Sequence, residues 1–196
     1  MFTARLSPLD RRHGQAHYSP YPLERKEIIR LFPCTFTALA FTCTMNPTMS
    51  PYAVGIDIVE LERVAAALER HGQRFIDRVY TPIEAAICRG RPAELAARFA
   101  AKEAVMKALG TGARGVAWRE IEVLLNRRGK PLVYLHGRAR ERAKEIGLDG
   151  LDLSMSHSRQ YAVAFVVASA DSHHAESDRD GWREKLIGIL KERGLL

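Results

Sequence analysis

Hydrophobic and polar positions follow a clear secondary-structure pattern after residue 50. A short apolar run predicts a strand over residues 53–58. The next apolar positions recur at helical spacing, so we predict a helix over 59–71 whose core-facing side chains are Leu61, Val64, Ala65 and Leu68.

The following segment predicts two helices separated by a proline- and glycine-containing break. Thr81 and Pro82 form a typical helix start, because threonine caps the helix and proline fits its first turn. The strongest helical pattern covers 92–109, which is rich in alanine and is followed by Gly110.

The second half of the chain predicts strands before a final helix. Residues 161–168 are apolar enough for a strand at the centre of a sheet. The other predicted elements are a strand over 121–125, a hairpin turn over 126–130, a returning strand over 131–136, a helix over 137–146, a strand over 151–155 and an amphipathic helix over 182–193.

Composition divides the chain into a core and two extensions. Residues 1–50 contain several prolines and no sustained period, so we expect a poorly ordered extension or a mis-assigned start, with Met45 or Met49 as the natural first residue. Residues 51–170 form the predicted domain, and 171–196 form a C-terminal extension with the amphipathic helix. The apolar stretch over 31–45 is too short and too rich in threonine for a membrane span.

Charge and cysteine content narrow the class of protein. The chain is 46% hydrophobic and 27% charged, as is ordinary for a globular protein, and its net charge of +7 suits either solubility or an acidic partner. Three cysteines without metal-binding spacing indicate no disulfide framework. A reducing cytoplasm is the expected compartment.

Two carboxylates interrupt otherwise apolar segments. Asp57 lies within the first strand and Glu103 within the long helix, where an ion is costly unless a cation or hydrogen bonds compensate. With Lys102, Lys107 and a glycine-rich turn nearby, the pair suggests a Mg²⁺ site that holds a phosphate. Two ordinary alternatives remain open from the residues alone: a helix cap for Asp57 and an i,i+4 ion pair between Glu103 and Lys107.

Four motifs occur in an order that resembles the holo-[acyl-carrier-protein] synthases over residues 51–169. They are GIDIVEL at 55–61, FAAKEAVMKALGTG at 99–112, GKP at 129–131 and SMSHS at 154–158. The resemblance implies an α+β 4′-phosphopantetheinyl transferase fold, a mainly antiparallel sheet packed with helices, in a homotrimer with active sites between subunits. It also implies transfer of 4′-phosphopantetheine from coenzyme A to a serine of apo-acyl carrier protein, for fatty acid or polyketide synthesis.

The resemblance assigns roles to individual residues. It places Mg²⁺ on Asp57 and Glu103 and phosphate neutralisation on Lys107; Glu103 is the first candidate for the general base and Glu84 a weaker one. The positions that it implies for coenzyme A are Arg98, Lys107, Gly110, Pro131 and His157.

A basic stripe on the first helix is the predicted dock for the acidic acyl carrier protein. Arg63, Arg70 and Arg74 fall at i, i+7 and i+11 and would share one face, whose ordinary alternative is a solvated surface. Membrane and nucleic-acid partners are not expected. Two other functions remain open: a metal-dependent nuclease or phosphohydrolase, and a carrier-protein binder without catalysis.

Overall fold

The computed structural model describes residues 52–148, 150–170 and 176–196. The predicted extension over residues 1–50 lies outside the described residues. In chain order the elements are β1 (Tyr52–Glu60), α1 (Leu61–His71), α2 (Gln73–Val79), α3 (Pro82–Cys88), α4 (Pro92–Ala108), α5 (Gly112–Gly115), a 3-10 turn (Trp118–Glu120), β2 (Ile121–Leu125), β3 (Pro131–Leu135), α6 (Gly137–Glu145), β4 (Gly150–His157), β5 (Tyr161–Ser169) and α7 (Glu176–Glu192).

Two antiparallel sheets and the surrounding helices make an α+β fold. The larger sheet has the strand order β1-β5-β4, which confirms the prediction that the last strand lies at its centre. β2 and β3 form the second sheet as the predicted hairpin. Helix α4 packs against β1 and β5, and its alanines are buried because small side chains let the helix approach the sheet closely.

Helix α1 begins at Leu61 rather than at the predicted residue 59, because Val59 and Glu60 still belong to β1. It ends at His71, and Gly72 follows with a φ of 53°, a left-handed conformation that favours glycine. Arg74 therefore lies in α2, and the prediction that it continues the basic stripe of the first helix is wrong. Ala67 is buried, although the spacing places it on the arginine face.

The second sheet is covered on both faces, which the alternation in β2 did not predict. Glu122 is fully buried, and the C-terminal helix α7 packs over the hairpin through an apolar cluster with Leu124, Tyr134 and Leu190. Burial tends to raise the pKa of Glu122, but hydrogen-bonding contacts with His136, Arg183 and Thr81 hold it at about 2.

One face of the larger sheet is both apolar and exposed. Alternate residues of β1 point away from α4, and each is at least 60% exposed: Tyr52, Val54, Ile56 and Ile58. Tyr161, Val163 and Phe165 of β5 continue this surface, because Ile56 pairs with Phe165 and Ile58 with Val163. We call these seven residues the sheet face. Within the described residues, no helix is both long enough and apolar enough to span a membrane.

Candidate active site

Helix α4 and strand β1 bring Asp57 and Glu103 together. Gly55 of β1 lies against the backbone of α4 at Ala104, the residue that follows Glu103. Asp57 is two positions after Gly55, so its side chain lies on the same side of the strand. The Lys107 ammonium group, one helical turn after Glu103, donates to the Asp57 carboxylate at 2.9 Å and to the Ile56 carbonyl oxygen at 2.8 Å.

Burial makes both carboxylates costly to ionise. Burial raises the pKa of Glu103 to about 7, with a further contribution from the negative charge of Asp57, while Lys107 acts in the opposite direction. Burial also raises the pKa of Asp57, despite its hydrogen bond with Lys107. A single lysine thus leaves the acid pair short of positive charge.

The contacts of the pair decide against both ordinary alternatives. Helix α1 is capped at Glu60 without a side-chain hydrogen bond, so Asp57 is not its cap. The ion pair of Lys107 is with Asp57 rather than with Glu103. Across residues 52–148, 150–170 and 176–196, no hydrogen-bond donor reaches the Glu103 carboxylate, which leaves its oxygens available for a ligand.

Lys102 and Glu84 do not belong to this site. Both side chains are fully buried, and the Lys102 ammonium group donates to Glu84 at 2.7 Å and to the carbonyl oxygens of Trp118 and Ile121. Glu84 also accepts backbone hydrogen bonds from Thr81 and Val123. The prediction that Lys102 contributes to a phosphate site is therefore wrong, and Glu84 is unsuited as a base because a substrate hydroxyl has no access to it.

Arg98 is enclosed in the same interior region. Its guanidinium group donates to the carbonyl oxygen of Val123 at 3.2 Å and to Glu94, and its side chain is fully buried. The spacing of five residues from Glu103 turns Arg98 toward a different side of α4. The role of Arg98 in binding coenzyme A stays a prediction.

The remaining predicted nucleotide-site residues lie at element ends. Gly110 follows α4 with a φ of 67°, Pro131 begins β3, and His157 ends β4 as an exposed residue. His157 pairs with Ala162, which in turn pairs with Val59. The side chain of His157 therefore shares a sheet face with Asp57 and lies about 10 Å from Val59, two strand spacings away.

One basic residue of α1 lies near the acid pair. The charge of Arg63 acts to lower the pKa of Asp57, after the larger effects of burial and Lys107, which shows that Arg63 is close to the site. Arg70 is exposed at the end of the same helix. The structure thus keeps two of the three predicted docking arginines on one helix, with Arg63 near Asp57.

Sequence reasoning missed the polar groups that the C-terminal extension adds to the fold. Arg183 of α7 donates to buried Glu122 at 2.6 Å, and Trp182 donates to the Leu125 carbonyl oxygen at 3.1 Å. An acid between two apolar residues of a predicted strand was the available signal, because such a side chain needs a distant partner.

Comparison with known proteins adds independent information on this arrangement. Residues 53–166 match the family model described as the 4′-phosphopantetheinyl transferase superfamily. The holo-[acyl-carrier-protein] synthase of Herpetosiphon aurantiacus is 50% identical over 120 residues, which cover 58% of this chain and 94% of that protein. The protein of the same name from Moorella thermoacetica is 49% identical over 125 residues, 62% of this chain and 95% of that protein.

Solved structures agree with the sequence relatives. The holo-[acyl-carrier-protein] synthase of Neisseria meningitidis superposes with a TM-score of 0.56 at 40% identity, covering 60% of this chain and 97% of its own. The Helicobacter pylori enzyme, solved in complex with coenzyme A, has a TM-score of 0.55 at 31% identity and covers 59% and 99% of the two chains.

Proposed function

We propose that this chain, which belongs to the 4′-phosphopantetheinyl transferase superfamily and within it to the holo-[acyl-carrier-protein] synthases, transfers 4′-phosphopantetheine from coenzyme A to apo-acyl carrier protein. The oxygen of a carrier serine forms a bond to the phosphorus that carries the pantetheine. The bond from this phosphorus to the nucleotide breaks, and adenosine 3′,5′-bisphosphate leaves. The observation that carries the proposal is the meeting of Asp57, Glu103 and Lys107 inside the matched segment.

The acid pair fits a Mg²⁺ ion. Two carboxylates with raised pKa values and one lysine between them favour an added cation, and Glu103 has oxygens without a donor from the described residues. The described residues contain no group of three or more acidic, histidine or cysteine side chains that could hold a metal ion. Mg²⁺ suits such a sparse site because it retains waters and binds substrate phosphates, and when bound it supplies charge stabilisation to the leaving phosphate.

Glu103 is the proposed acceptor of the serine proton, directly or through a water. In the metal-free chain burial raises the pKa of Glu103 to about 7, so its carboxylate is a stronger base than that of an ordinary glutamate and accepts a proton more readily. Lys107 holds Asp57 in place and presents a partly exposed ammonium group where phosphate charge would lie. Gly110, Pro131 and His157 are the proposed lining of the nucleotide site.

Arg63 and Arg70 of α1 are the proposed dock for the carrier protein. Acyl carrier proteins are acidic, and a basic helix beside the acid pair would direct the carrier serine toward it. Attraction of this kind mainly raises the association rate and weakens with salt. Arg74 belongs to α2 and is not part of this dock.

The sheet face supports a homotrimer with active sites between subunits. Seven large apolar side chains on two adjacent strands remain exposed in the single chain, and a contiguous apolar surface of this kind marks an interface. Residues on either side of the sheet face would then meet the neighbouring subunit.

Cys88 is a buried free thiol, in agreement with the proposed cytoplasmic location.

The mass of the carrier protein gives the direct test. An apo-acyl carrier protein is incubated with this protein, coenzyme A and Mg²⁺, and its intact mass is measured beside a Glu103→Ala control. The expected result is a gain of one phosphopantetheine that is absent without metal and lost in the variant. If several carrier proteins gain no mass, the transfer proposal fails, and hydrolysis of nucleic acid with Mg²⁺ is the next activity to test.

A further inference from the structure

A second cleft lies between β3, α6 and α7. It has a volume of about 210 Å³, and one of its walls is the C-terminal helix, which follows the segment matched to the superfamily. The charged side chains and the histidine that line it are His136, Arg140, Lys144, Arg179, Arg183 and Asp180.

The α7 wall of the cleft is held by specific contacts. Arg183 is bound to buried Glu122, and the Arg179 guanidinium donates to the Val133 carbonyl oxygen and lies over the Tyr134 ring. The Tyr134 hydroxyl in turn donates to the Arg179 carbonyl oxygen at 2.7 Å. The cleft is therefore a formed feature of the chain, with these two arginines engaged in its construction.

Arg140 and Lys144 are different, because no charged group among the described residues pairs with them. They are exposed residues one turn apart on α6, both line the cleft, and no described residue offers either side chain an acid or a hydrogen-bond acceptor. Like charges at this spacing repel each other. The other arginines of the helix do have acids: Arg138 pairs with Glu120 and Arg142 with Glu145, each at 3.2 Å.

About half of the cleft lining is apolar. A charged rim over such a surface suits a ligand with a compact anion at one end and a short apolar group at the other. The side chains that form this surface are Val133, Leu135, Ala143, Leu148 and Leu151.

We infer that this cleft binds a phosphate monoester with a short apolar substituent, whose phosphate lies between Arg140 and Lys144. Charge-assisted hydrogen bonds from both cations hold the phosphate and remove their mutual repulsion, while the substituent covers the apolar surface. The cleft does not include Asp57 or Glu103, so ligand binding there can be tested independently of the proposed transfer reaction.

Titration with butyl phosphate tests the inference on the full chain, followed by backbone amide resonances and by calorimetry. The amides of residues 135–144 and 179–183 are expected to shift, whereas those of 103–111 report any binding at the acid pair. Inorganic phosphate is expected to bind the cleft more weakly than butyl phosphate, and butanol to leave it unchanged.

Two charge-matched double variants complete the test. Arg140→Ser/Lys144→Ser is expected to weaken butyl phosphate binding by about tenfold or more, since each charged hydrogen bond contributes on that scale. Lys185→Ser/Lys191→Ser removes the same charge from exposed positions of α7 outside the cleft and is expected to bind as the parent does. Equal losses in both variants, or no shift at the cleft amides, would overturn the inference.

Discussion

Gly55 and Ala104 meet so closely that a Cβ atom on Gly55 would lie 1.9 Å from the Ala104 carbonyl oxygen. This contact lets β1 lie directly on α4, and it places Asp57 beside Glu103. The glycine of the first motif is thus required by the approach of two backbones rather than by its φ angle.

Gly55→Ala is expected to separate β1 from α4 and to destabilise the chain by about 1–3 kcal/mol or more, as overpacking against backbone does. Transfer activity is expected to fall with it, because Asp57 would move relative to Glu103. Thermal unfolding and the carrier mass assay measure the two effects. The control is Gly188→Ala in α7, where nothing lies within 4 Å of an added Cβ and where alanine favours the helix. Equal stability of the two variants would contradict this explanation.

The pKa of Glu103 predicts how metal-free stability depends on pH. Its folded pKa of about 7 lies above the ordinary value of 4.5, so the protonated form stabilises the fold at low pH, and this contribution is lost as pH rises through 7. The loss by pH 8 amounts to about 2–3 kcal/mol. Glu103→Gln is expected to remove this pH dependence and to be more stable than the parent at pH 8, as measured by chemical denaturation in the presence of a chelator. A parent profile that stays flat between pH 5 and pH 8 would argue against the raised pKa.

Magnesium binding is expected to strengthen as pH rises toward 7 and to level off above it. Glu103 must lose its proton to act as a ligand, so affinity increases by up to about tenfold per pH unit below its pKa. Calorimetry at pH 6 and pH 8, in buffers with different ionisation enthalpies, measures both the affinity and the proton release. Asp57→Asn is expected to lose binding at both pH values, and unchanged binding in this variant would exclude Asp57 as a ligand.

Charge reversal on α1 tests the carrier dock. Arg63→Glu/Arg70→Glu is expected to raise the KM for acyl carrier protein by about tenfold or more and to remove most of its salt dependence. The matched control, Lys185→Glu/Lys191→Glu, changes the net charge equally on α7. If both variants raise KM to the same extent, overall charge rather than a defined dock explains the effect.

The sheet face predicts an assembly that depends on its apolar side chains. Val54→Glu/Phe165→Glu places two charges on this face and is expected to convert the proposed homotrimer to monomers with at least about tenfold lower activity. Light scattering measures the mass in solution. Leu196→Glu changes an exposed apolar residue away from the sheet face and is the control. Trimers that persist in the double variant would place the interface elsewhere.

Local patterns predicted most of the elements and the acid pair. Helical spacing, the Thr81-Pro82 start and the apolar run of the last strand are readable because each depends on neighbours in the chain, and the structure confirms the cap of α3 and the central position of β5. Asp57 and Glu103 stood out because each interrupts an apolar segment, but their pairing was predicted only with the family resemblance, since the residues alone left a helix cap and a helical ion pair open.

Tertiary packing determined which of the other charged residues are buried in the interior. Arg98, Lys102 and Glu84 resemble site residues in the sequence, yet each is fully buried, and Lys102 and Glu84 are paired with each other in the interior. Glu122 accepts hydrogen bonds from Thr81, which lies 41 residues earlier in the chain, and from Arg183, which lies 61 residues later. Alternation and helical spacing describe only which side of an element a residue occupies; whether that side meets solvent or a buried partner depends on elements brought together across long stretches of chain.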